Sequence, residues 1–345
     1  MEQKKVRQTN LELLRILAMF MVIILHYLGK GGFLTSTALQ SQPLYLVLET
    51  LSIVAVNLYV LISGFFSIDT EFSLTKFIRL WAQILFYSLL IPVVLSATGI
   101  LSLGDRTLYD YLFYVFPVTM EHYWFATTFL FLYLMTPFLN KGIKVLNKKQ
   151  FQLLLLLFVL VFSVSKSVLP VKLAFDKEGY DIFWFITLYL TAAYLRLYGM
   201  PLLNHKWRGM LLYISMTVVS ICTTIILYFI KENYGIMEDR GTITWDYNHI
   251  FVYLASIGLF TFFLQLKNVN GKAAHLITAV SSTTFGIYLF HEHVELRYLW
   301  MKEGTMGTVL LVFFAGMILD FIRQWIFRLF ERIIQRGGKH EKHTI

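Results

Sequence analysis

The chain has 345 residues, of which 57% are hydrophobic and only 15% charged, against roughly 25% charged in an ordinary soluble domain. Its apolar residues fall in blocks of about 20, the length that crosses a bilayer as a helix, which excludes a water-soluble protein. The net charge of +9 would suggest nucleic acid in a soluble chain, but in a membrane protein it is first explained by basic cytoplasmic loops.

Taken in order, the blocks predict an all-α, polytopic integral membrane protein with about ten transmembrane helices. They lie at roughly 11–28, 44–66, 76–98, 121–140, 151–170, 181–199, 209–230, 247–266, 276–294 and 305–328. Lipid cannot satisfy open backbone groups, so each must be helical. The first block carries Arg15 and lacks an A-x-A-type site, so it reads as an uncleaved span rather than a signal peptide. Arg15 and His26 are eleven residues apart. At about 100° per residue that is three turns plus roughly 20°, so both share one face, about 16 Å apart along the axis. Singly, Arg15 could snorkel to headgroups and His26 could cap the helix. Aligned on one face, two intramembrane ionisable groups point to a functional site.

The second block holds Asn57, Ser63 and Gly64, which suit either a site or close helix packing. Lys76 and Arg79 follow at the start of the third. The stretch 107–118, "TLYDYLFYVFPV", is too short and Tyr-rich for a span and reads as an interfacial helix or loop. The fourth block opens with His122 and Trp124, although headgroup anchoring also explains an interfacial Trp. The single cysteine, Cys222, lies in the seventh, so no intrachain disulfide can form. The ninth block ends in His291, Glu292 and His293, at the membrane level of His26. Glu49 and Asp320 also fall within spans and receive no role.

Basic residues set the orientation. The amino terminus (Lys4, Lys5, Arg7), the even-numbered loops and the carboxyl tail from Arg323 hold 20 Lys and Arg. The opposite loops, with Lys172, Arg240 and Lys302 among their basic residues, hold 9. The bias predicts both termini in the cytoplasm. Residues 331–345, which include His340 and His343, read as a short basic cytoplasmic tail. The rest reads as one membrane-embedded domain within 1–345, its spans ending near 330. The histidines lack the i, i+4 spacing of a helical zinc site, so no metal is expected. Phosphate loops, nucleophile elbows and nucleic-acid motifs are absent.

Five stretches resemble, in order, the membrane-bound acyltransferase-3 family. They are Arg15 followed after ten residues by His26, "NLYVLISGFF" at 57–66, "FSLTKFIRL" at 72–80, "HYWFATTFLFLYLMTP" at 122–137 and "FGIYLFH" at 285–291. Lys76 departs from the Arg more usual there, and the Pro that commonly follows the basic motif is missing. The resemblance implies an O-acetyltransferase of a bacterial plasma (inner) membrane. Its donor would be acyl-CoA, most simply acetyl-CoA, and its acceptor a cell-surface glycan or lipid-linked precursor. The resemblance carries over Arg15 and His26 as functional residues. His26 would act as general base or transient acyl carrier, with Arg15 on the donor side. Asn57, Ser63, Lys76, Arg79, His122, Trp124 and His291 are weaker candidates for binding. Some members of that family carry an extra esterase-like domain, and none is expected here in the residues after 330. The alternative is a glycan or small-solute transporter that uses the same Arg and His pathway, but no two matching halves support it.

Overall fold

A computed structural model of the protein describes residues 8–35, 42–169, 174, 176–235, 241–301 and 305–341. The described residues contain helices and no strands. Lys4, Lys5, Arg7, Lys172, Arg240, Lys302 and His343, which entered the sequence reading, lie outside them, as do residues 342–345 of the tail.

Every one of the ten apolar blocks is helical. Helix α1 (Thr9–Lys30) carries Glu12 in its first turn and Lys30 in its last, the sense that the helix dipole favours. Pro43, with φ already fixed for a first turn, starts α2 (Pro43–Ser52); after a break at Ile53–Val54, α3 (Ala55–Ser67) continues it into one 25-residue span. Next come α4 (Leu74–Ala97), the short α5 (Leu108–Val115) and α6 (Trp124–Val145). A capping box between Thr107 and Asp110 makes α5 a helix, which settles the choice left open for 107–118. Helix α7 (Lys148–Val159) passes through a π-helical turn at Leu160–Val164 into α8 (Ser165–Val168).

Helices α9 (Ile182–Tyr198), α10 (Lys206–Tyr234) and α11 (Ile250–Leu264) follow. The last two cross at Gly209 and Gly258, where a Cβ on either would lie 2.7 Å from the other's carbonyl oxygen. Only glycine permits that approach. Then α12 (Gly271–Ser281) and α13 (Thr284–His291) form one span broken at Ser282–Thr283. Helix α14 (Val294–Met301) leads to α15 (Met306–Glu341). The basic segment after residue 330 therefore begins as an extension of α15.

Among the described residues, eight spans are long and apolar enough to cross a membrane. Of the other two blocks, α9 has 17 residues, and α6 is interrupted by Thr127, Thr128, Thr136 and Asn140. Helix α1 is the hub and packs against α2, α3, α11, α12, α13, α14 and α15. Large apolar side chains on the outer faces of α7, α10 and α15, such as Leu157, Leu211 and Leu311, are exposed, as a lipid-facing surface requires.

Candidate active site

The hub helix presents Arg15, Met19, Val22 and His26, spaced four, three and four residues apart, to a cavity of about 680 Å³. Helix α3 supplies the facing row Val56, Tyr59, Ser63 and Phe66, again at helical spacing. Lys76 of α4, Trp124 and Phe125 of α6, and Ser281, Ser282, Thr284 and Tyr288 around the break in α12–α13 close the walls. A broken helix exposes polar backbone, which a membrane protein tolerates where the break lines a cavity.

At one end His26 is fixed through its Nδ1, which lies 2.8 Å from His291 Nε2. His291 Nδ1 is 2.7 Å from the Ile287 carbonyl. A carbonyl only accepts, so His291 carries its proton on Nδ1 and, when neutral, accepts at Nε2. His26 must then donate from Nδ1, which assigns its lone pair to Nε2, the ring nitrogen left for the cavity. The tautomers follow from this chain of hydrogen bonds. Glu292 Oε2 is 3.1 Å from the same Nδ1, and its other oxygen pairs with Lys30 and, at 3.3 Å, with Arg297. Trp300 Nε1 donates to the His291 carbonyl at 3.0 Å.

At the other end Arg15 pairs with Glu12 at 2.7 Å, Ser281 donates to the same carboxylate, and the Tyr59 hydroxyl donates to the Arg15 carbonyl at 3.0 Å. A second cavity of about 760 Å³ meets the first at Arg15, Ser63 and Lys76 and opens past Arg79, Arg323 and Arg328. Glu331 is its one acidic lining residue among those described, paired with Arg79 at 3.0 Å. The two cavities thus join a strongly basic mouth to His26.

Of the residues singled out from sequence, Arg15, His26, Ser63, Lys76 and Trp124 meet in the first cavity and Arg79 stands in the second. His291 lies behind His26, fully buried. Asn57 and His122 line neither cavity. The Asn57 amide donates to the Tyr247 carbonyl at 2.9 Å and accepts from Trp184 Nε1 at 3.0 Å, so it ties helices together. His122 stacks on Phe113 and Tyr123 at 4.6 and 4.3 Å and meets His293 edge-on at 4.5 Å. These four histidines thus form two separate pairs, His26 with His291 and His122 with His293.

Sequence reasoning passed over Glu12, Tyr59, Tyr288, Arg323 and Arg328 and gave Glu292 no role. Signals were present for four of them: Glu12 and Arg323 stand i,i+3 from Arg15 and Asp320, and Tyr59 and Tyr288 fall inside the stretches at 57–66 and 285–291. Asp320 accepts from Gln83, Tyr87, Arg323 and Gln324 and braces α15 against α4. The Glu49 Oε2 atom is buried without a hydrogen bond. A family model described as an acyltransferase domain matches residues 8–333. No curated protein and no solved structure matches the chain.

Proposed function

The chain belongs to the acyltransferase-3 family, and from that premise we propose that it moves an acyl group, most simply acetyl, from cytoplasmic acyl-CoA to a hydroxyl of an extracytoplasmic glycan. The observation that carries this reading is the joined cavity, basic at one mouth and ending on the Nε2 of an anchored His26. The excess of basic residues on the even-numbered side sets both termini, and with them the basic mouth, in the cytoplasm, where acyl-CoA is made. Ten spans accord with that orientation, α9 crossing largely buried by its neighbours and α6 with one face exposed, as at Phe131 and Phe138.

Arginine forks and a lysine suit the phosphates of CoA, so Lys76, Arg79 and Arg328 hold the nucleotide end, with Arg323 behind them tied to Asp320. The pantetheine arm lies along the Arg15, Met19, Val22 and His26 row and brings the thioester to His26. A glycan or its lipid-linked precursor enters from the opposite side past Trp124, whose ring packs on Tyr180 at 4.4 Å and offers an aromatic face to a sugar. His26 Nε2 takes the proton of the acceptor hydroxyl as its oxygen attacks the carbonyl carbon. The carbon–sulfur bond then breaks, and the CoA thiolate recovers the proton from the imidazolium. The products are the glycan ester and free CoA.

The test is label transfer from acetyl-labelled acetyl-CoA in membranes of the source bacterium lacking its own copy, complemented with wild type or His26→Ala. Loss of a general base costs about 10²–10⁴-fold. Glycan acetylation that survives in a normally expressed His26→Ala overturns the role of His26. Glycan movement across vesicles without CoA release would make the protein a carrier instead. Label held on the wild-type protein before acceptor is added would replace the base by an acyl-histidine.

A further inference from the structure

The wall of the first cavity holds a buried donor that the reaction above leaves unused. Tyr288 lines it, its side chain is nine-tenths buried or more, and its hydroxyl has no hydrogen-bond partner. An unpaired buried hydroxyl is costly, and each such group in a folded protein needs a reason. The hydroxyl sits against the start of α6. Tyr123, the residue before that helix, makes no side-chain cap, and the first bond of the turn is Thr127 N–H to the Tyr123 carbonyl at 3.0 Å. The N–H groups of Trp124, Phe125 and Ala126 therefore have no acceptor within the helix. Those of Phe125 and Ala126 lie close to the Tyr288 oxygen without completing a hydrogen bond to it, and the Phe125 ring is 5.7 Å from the Tyr288 ring. Tyr288 also precedes His291 by one turn of α13, and the His291 ring lies 6.0 Å from Tyr288 and 5.0 Å from His26. Helix α13 thus carries both the histidine that anchors the base of α1 and a tyrosine in the wall of the same cavity.

We propose that Tyr288 is the oxyanion donor of the transfer step, a catalytic role that rests on the acyl-transfer reading above. As the acceptor oxygen bonds to the thioester carbon, the carbonyl oxygen gains the negative charge. The Tyr288 O–H donates to that oxygen while His26 holds the acceptor proton. The positive end of α6 stands behind the phenol oxygen and strengthens it as a donor. When the carbon–sulfur bond breaks, the carbonyl reforms and the tyrosine keeps its proton throughout. The energy is gained where charge develops, not on binding.

The experiment compares wild type with Tyr288→Phe in inside-out membrane vesicles of the deletion strain. These present the basic mouth to added acetyl-CoA and carry the native acceptor within. Removal of one oxyanion donor lowers kcat by about 10²–10³-fold. The KM for acetyl-CoA stays unchanged and the thermal unfolding temperature does not fall, because the hydroxyl completes no hydrogen bond in the free protein. A second readout is the rate ratio of acetyl-CoA to its dithioester analogue, whose sulfur accepts hydrogen bonds weakly. Wild type discriminates strongly, and Tyr288→Phe loses that discrimination. Turnover at the wild-type rate in Tyr288→Phe, or a slower variant with the ratio intact, overturns the assignment while leaving His26 as base. An inactive wild type removes the proposed function and the assignment with it.

Discussion

At the His26 end of the cavity the ionisable groups are packed and tied, whereas at the Arg79 end Lys76, Arg79, Arg328 and Glu331 stand in the open and only Arg323 is buried, against Asp320. The His26 and Glu292 side chains are 12% and 3% exposed, and His291 is fully buried. Arg79 and Glu331 are 62% and 47% exposed and touch each other at 3.0 Å. The contrast matches what each end has to do. Proton transfer needs a defined tautomer and a ring held in place, while a polyanionic nucleotide needs a positive field more than a fixed geometry. Arg15 sits between the two regimes, 25% exposed yet paired with a buried Glu12.

The difference makes substitutions at the two ends distinguishable by which kinetic constant they move. After His26 and Tyr288, the largest effect is expected at His291. His291→Phe fills much the same space but removes the Nε2 that accepts from His26, so the imidazole loses both its tether and its preferred tautomer. Loss of such a supporting partner costs about 10–100-fold, and here it should fall on kcat with the KM for acetyl-CoA unchanged. A raised KM with kcat intact would erase the distinction between the ends. At the boundary, Arg15→Lys keeps the charge that balances Glu12 and loses the planar fork. A drop of about tenfold in kcat/KM, ~1.4 kcal/mol, shared between kcat and KM, is expected from steady-state rates. An effect confined to KM would move Arg15 into the open regime.

Much of this was legible from local periodicity. The eleven-residue spacing of Arg15 and His26 puts them on one face of α1, and both line the cavity. What periodicity could not reach was the partner of each polar group. Asn57 and Ser63 looked equivalent on one helix, yet Ser63 faces the cavity while Asn57 is consumed by Trp184 and Tyr247, which are remote in sequence. A polar side chain in a span can be satisfied by a cavity or by another helix, and only the fold decides. Tyr288 stood inside the quoted stretch at 285–291, but its place against the start of α6, far along the chain, could come only from the fold. Helix α9 illustrates the converse. Its 17 residues fall short of a lipid-spanning length, but Trp184, Phe185, Leu188, Ala192 and Ala193 are buried against protein, so neighbours rather than lipid set its requirements.

The smallest effect is expected at the open mouth, and its sign is more informative than its size. Exposed ion pairs are worth about 0.2–1 kcal/mol, a factor of about 1.4–5. If Arg79 and Glu331 serve mainly as a pair that braces α4 against α15, removal of either member should weaken the protein alike and leave the KM for acetyl-CoA nearly untouched. If the mouth works as a field, the two act in opposite directions. Arg79→Gln removes a positive charge and should raise the KM within that factor, whereas Glu331→Gln removes the opposing negative charge and should lower it. Salt separates the two accounts further. Screening lengths fall from about 10 Å at 0.1 M to about 3 Å at 1 M, so both shifts should fade across that range while the His291→Phe defect, set by buried contacts, should not. Equal signs for the two mouth variants, or a His291→Phe defect that fades with them, would mean that the cavity has one electrostatic regime rather than two.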